Sequence, residues 1–86
     1  MINGNECRAI TLADAQINRI YRVTDIAEGQ ARRRLLDMGF TPAAEIYVSH
    51  KAPFGKTFLV GVRGFMVALR EDAARLVLLE AAVHGV

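Results

Sequence analysis

Apolar and polar residues alternate through most of the chain. In "RIYRVTDI", Ile20, Arg22 and Thr24 fall on one side, and Tyr21, Val23 and Asp25 on the other. A period of two predicts a half-buried strand. Tyr21, Val23 and Ile26 are expected inward, which requires a break in the alternation near Asp25. "AEIYVSHKA" sets Ile46 and Val48 against Tyr47 and Ser49. "TFLVGV" groups Phe58, Val60 and Val62, and "FMVALR" groups Phe65, Val67 and Leu69, again as inward positions. Between them, Arg63-Gly64 reads as a tight reversal with Gly64 at positive φ. "PFG" predicts a turn, "EDAAR" one helical turn, and "LVLLE" a last strand.

Two segments depart from this period. In "TLADAQINRI", Thr11 suits the cap of a helix of a turn or two, with Asp14 near the positive end of its dipole. In "RRRLLDMGFTPAAEI", Leu35 and Met38 follow Ala31 at i+4 and i+7, one stripe of a helix that Leu36 widens. Gly29 is expected to cap its start. Gly39 falls where a left-handed residue ends a helix, Phe40 is expected to touch Leu35, and Pro42 follows the stop. Arg32, Arg33 and Arg34 occupy the other faces and read first as a solvated surface, with Arg34 spaced to pair with Asp37. The pattern predicts a mainly β fold: a small β-barrel of about five strands with one or two short added α-helices. It is read as a single domain over residues 10–80, with tails at 1–9 and 81–86.

Composition narrows the function. A chain of 86 residues is one domain. Such a domain buries only roughly 60% of its unfolded surface and has little area for a deep active site. An apolar fraction of 52% argues against disorder and hints at apolar surface meant for a partner. A net charge of +2 is mild for a nucleic-acid binder. Arg32–Arg34, Arg63 and Arg70 could form a basic surface, but no helix-turn-helix is evident and the aromatics are few and mostly phased inward, so no nucleic acid is expected. The single Cys7 cannot close an intrachain disulfide, so nothing points to an oxidising compartment. "MINGNECRAI" lacks the basic start and apolar core of a signal peptide. No apolar run approaches the ~20 residues of a membrane helix. A cytoplasmic protein without direct membrane insertion is expected.

Catalytic chemistry finds no footing. No nucleophile has an ordered base, the carboxylates are scattered, and "PFGKT" lacks the upstream glycine and following helix of a P-loop. The chain is read as no enzyme, with no cofactor. Cys7, His50 and His84 are weak metal candidates only, because they are far apart and share no ligand spacing.

Several motifs in order resemble the ferrous iron transport protein A family, FeoA. They are Leu35, Met38, Gly39, Phe40 and Pro42; then Ala52, Pro53 and Gly55; then Arg63, Gly64 and Phe65; then Ala68, Leu69 and Arg70. The resemblance covers roughly residues 10–80. It implies an SH3-like β-barrel and a small cytoplasmic accessory protein of FeoB, the membrane Fe(II) permease that carries a GTPase domain. It implies a place at the inner membrane only through that partner. The same barrel occurs as a module of some iron-dependent repressors, so the alternative is a free-standing metalloregulator-like module that binds transition metal or assists iron-dependent transcription. The chain departs from the family pattern at three places. Ala43 replaces a common glycine, so that turn is not expected to need positive φ. Lys56-Thr57 replaces Asp-Pro and reverses a loop charge. Phe65 replaces a tyrosine.

Protein contact is therefore the expected activity. The helix and the Arg63–Met66 hairpin are expected to supply part of the surface, with Arg33 and Arg34 steering an acidic partner. Leu36, Arg63, Phe65 and Met66 complete the candidate set. Leu36, Leu59 and Met66 read first as core or dimer residues, and homo-oligomerisation is left open. Leu35, Met38, Gly39, Phe40, Pro42, Pro53, Gly55 and Gly64 are expected to be structural.

Overall fold

The computed structural model describes residues 10–52 and 56–82. Cys7, Pro53, Gly55, His84 and the "PFG" turn lie outside them. Six strands form one antiparallel sheet: β1 (Ile10–Thr11), β2 (Ile20–Ile26), β3 (Glu45–Lys51), β4 (Thr57–Val62), β5 (Phe65–Arg70) and β6 (Val77–Ala81). Their order across the sheet is β1-β6-β2-β3-β4-β5. The sixth strand is β1, a two-residue segment that pairs with Leu78 and Leu79. No ladder joins β1 to β5 among the described residues, so the sheet curls without closing. Helix α2 (Glu71–Ala74) contacts β5, β4 and the 3-10 turn Leu12–Asp14, bridging the two ends.

The core is the inward set of the alternation. Tyr21, Val23, Ile26, Ile46, Val48, Phe58, Val60, Val62, Leu69 and Leu79 are all buried. The expected break in β2 is a β-bulge: Val23 faces Leu79, Asp25 faces Leu78, and Thr24 is the extra residue. A bulge resets the pleat, so Val23 and Ile26 both point inward. A second bulge lies between Val48 and His50 of β3.

Helix α1 (Ala31–Asp37) ends as its sequence dictates. Gly39 has φ +114°, its N–H donates to the Leu36 carbonyl, and the Phe40 N–H donates to the Leu35 carbonyl. These two bonds make a Schellman ending. They turn Phe40 into the core, where it is fully buried. Gly64 has φ +83° and Arg63 φ +53°, the two left-handed residues of a type I′ hairpin between Val62 and Phe65.

Several expectations are corrected. The cap of α1 is Gln30, not Gly29, although the Gly29 carbonyl accepts from the Arg32 N–H. Thr11 precedes the 3-10 turn without a side-chain cap bond and instead donates weakly to the Asp14 carboxylate at 3.4 Å. Asp37 pairs with Arg33 at 3.7 Å, one residue nearer the helix start than Arg34, because i and i+4 stack on one face. Phe65 shares the inward phase of β5 but is 72% exposed. It is the first residue after the turn on the end strand of the sheet, where no described element covers it. Ala43 has φ +75°. The Ala44 N–H donates to the Thr41 carbonyl across Pro42-Ala43, so the turn is type II and its third position requires positive φ.

Candidate protein-binding surface

The sequence candidates gather at one end of α1 and along β5. The stem of Arg63 crosses the end of α1: a Cβ on Gly39 would lie 3.4 Å from its Cδ. The Arg63 guanidinium donates to the Thr41 hydroxyl at 3.0 Å. Helix stop and hairpin turn are thus held together. Phe65 and Met66 follow directly, 72% and 49% exposed.

Met66 belongs to a row that the sequence did not single out. Ile20, Tyr47, Gly61 and Met66 are consecutive register partners across β2, β3, β4 and β5. All face outward, and Ile20 and Tyr47 are also exposed. A Cβ on Gly61 would meet the Tyr47 ring at 2.4 Å, so the ring lies flat over the glycine. From there its hydroxyl reaches the Met66 sulfur at 3.8 Å. Outward-facing Leu59 lies nearby on β4. A depression of about 340 Å³ runs from this row to the hairpin turn. A glycine inside a strand marks a close approach, and that was the signal available for Tyr47.

On the other side of β5 lies a groove of about 490 Å³, bounded by α1 and α2. Its floor includes Leu35, Met38 and Leu76, and its rim includes Arg34 and Arg70. Neither arginine has an acidic partner among the described residues. Asp72, also at the groove, accepts from the Ala73 N–H at 2.9 Å. The other candidates contribute less. Arg33 points to solvent with Asp37, and Leu36 is half-buried against the core.

One carboxylate is electrostatically distinct. Asp25 accepts from the Ile26 N–H at 2.8 Å and from Arg32 at 3.2 Å. The backbone donor first, and then the guanidinium, hold its pKa below the ordinary 3.8. Arg32 also donates to the Ile26 carbonyl, tying α1 to the end of β2. His50 is exposed, with its Nδ1 2.6 Å from the Ser49 hydroxyl. Among the described residues no three of His, Cys, Asp and Glu converge as metal ligands.

The FeoA domain model matches residues 10–81. The chain belongs to the FeoA family. A FeoA-like protein from Clostridium acetobutylicum, solved by NMR, is 32% identical with a TM-score of 0.81, over 91% of this chain and 92% of its own. FeoA of Stenotrophomonas maltophilia, crystallised with zinc and described as an SH3 domain protein, is 28% identical with a TM-score of 0.73, over 83% of this chain and 89% of its own. The FeoA fold of the chain is thus SH3-like. A manganese-dependent transcriptional repressor reaches a TM-score of 0.79 at 19% identity, with 86% of this chain spanning 37% of the repressor. That likeness is one of fold alone. No curated protein sequence matches the chain.

Proposed function

We propose that the chain is an accessory, regulatory protein of ferrous iron uptake. It acts by contact with the cytoplasmic region of the FeoB Fe(II) permease, catalyses no reaction and carries no cofactor. Family membership supports the iron-uptake part. One FeoA relative is described as an iron uptake regulatory protein. The Stenotrophomonas maltophilia relative is described in connection with activating ferrous iron transport. The observation that carries the contact part is the exposed hairpin. Met66 lies in one outward row with Tyr47 and Ile20, and Phe65, on the opposite pleat of the same hairpin, is exposed as well, while the buried core includes none of them. Contiguous apolar surface of this kind marks an interaction site. Arg33 and Arg34 add positive charge on the nearby helix and steer an acidic surface toward it. Among the described residues no helix is long and apolar enough to cross a membrane. Contact with the membrane then comes through the partner, from the cytoplasmic side.

The test is a calorimetric titration against the soluble GTPase portion of FeoB, with and without nucleotide. A folded Arg33→Glu, Met66→Glu variant is the control. Binding lost in the variant supports both partner and surface. Binding kept by the variant retains the partner and discards the surface. A second reading is the metalloregulator-like module that the family resemblance left open; on its side is the zinc complex of the Stenotrophomonas maltophilia relative. Stoichiometric Fe(II) binding, with no affinity for FeoB, would establish that reading instead.

A further inference from the structure

The end of the sheet at β5 is built to receive another strand. A two-residue hairpin is closed by the hydrogen-bonded pair Val62 and Phe65, so Phe65, Val67 and Leu69 turn their backbone groups toward β4. The intervening Met66 and Ala68 then direct their N–H and C=O groups away from the sheet. No backbone partner meets these groups among the described residues. Natural edge strands are commonly blunted by proline, lysine or inward charge. Phe65 to Leu69 contains none of these. Beside this edge lies the groove floored by Leu35, Met38 and Leu76, of a size to take apolar side chains. Arg34 and Arg70 stand on its rim without acidic partners among the described residues.

We propose that β5 binds an extended segment of the partner protein by strand addition. Main-chain bonds form to Met66 and Ala68. An apolar side chain of the incoming strand enters the α1–α2 groove, and a flanking carboxylate meets Arg34 or Arg70. Strand addition draws affinity from the backbone and specificity from alternate side-chain pockets. Charge selects a partner segment over a second copy of this chain. Paired antiparallel with itself about Val67, β5 would set Arg70 opposite Gly64 of the second copy, beside its Arg63, and Phe65–Arg70 offers no carboxylate to meet it. The proposal rests on the partner-binding reading above and gives it a mode and a peptide chemistry.

The test uses the full chain and overlapping 12-residue peptides that cover the cytoplasmic segments of FeoB, separate from the folded-domain titration. The key variant is Ala68→Pro. The Ala68 N–H points outward, so proline there spares the β4 ladder while removing a donor and blocking approach. Circular dichroism checks its fold, and an Arg34→Glu, Arg70→Glu variant tests charge without touching the backbone. Peptides of alternating apolar and acidic residues should bind the native chain. Binding should weaken by about tenfold or more in each variant, the loss of roughly 1.4 kcal/mol. The Met66 and Ala68 amides should become protected from hydrogen exchange. Three results overturn the proposal: no peptide binds, peptides bind the variants equally well, or Ala68→Pro abolishes only a dimer of the chain. In each case binding of the folded FeoB domain would still uphold the wider function.

Discussion

At the residue scale, two neighbouring turn positions share a left-handed backbone, one matched by its residue and one not. Gly39 occupies φ +114°, where only glycine is at ease, and Ala43 occupies φ +75° with a Cβ. A left-handed residue other than glycine costs roughly 1–2 kcal/mol. Gly39→Ala should therefore destabilise the chain by about 1–2 kcal/mol, and Ala43→Gly should stabilise it by up to about 1 kcal/mol after the added freedom of the unfolded chain is counted. Urea denaturation of both variants checks the pair, and a stabilised Gly39→Ala would refute the account. The glycine was legible in the sequence because a helix stop is local chemistry. The alanine was not. Its turn is held from outside: the Ala43 N–H donates to the Val23 carbonyl, and the Val23 N–H donates to the Ala44 carbonyl. Asp25 gives a pH prediction. Its pKa is lowered in the folded chain, so the carboxylate adds stability above its unfolded value, and that stability is lost as pH falls through the folded value. Melting temperatures taken from pH 6 down to about pH 2 should fall more steeply in the native chain than in Asp25→Asn. The two should converge at the acid end, where both groups are neutral.

At the scale of the element, the strands were readable because each buries one face and shows the other. Even the β2 bulge was visible, since Val23 and Ile26 cannot share a face without it. The fate of Phe65 was not visible. Alternation assigns a residue to a face, but burial depends on what another element lays over that face, and among the described residues no element reaches the tip of β5. The Tyr47–Gly61–Met66 row was hidden for a related reason. It joins residues from different strands, and only the register brings them together. The row makes its own prediction. Gly61→Val should evict the Tyr47 ring while β4 keeps its ladder. Contacts between the ring and the Met66 methyl, seen by NMR in the native chain, should vanish without loss of the β-sheet spectrum. If they persist, the ring does not rest on the glycine.

At the scale of the whole molecule, the proposed contact surface and the core fall on different residues. Phe40 is fully buried at the turn out of α1. Phe40→Ala should cost about 3–5 kcal/mol, a large part of the 5–15 kcal/mol typical of a domain. Phe65→Ser should change the unfolding midpoint little, because the ring is already in water, yet weaken partner binding. Comparable losses of stability in both would mean that the hairpin aromatic belongs to the core after all. The last strand also has a consequence for how the protein is made. β6 lies between β1 and β2 in the sheet, pairing with both. The earliest strands to leave the ribosome must therefore wait, exposed, for the final one. Pairings so distant along the chain are slow to form and leave apolar edges open to aggregation meanwhile. A nascent chain stalled before Val77 has emerged should remain sensitive to protease, and folding should follow only once Ala81 is clear of the exit tunnel.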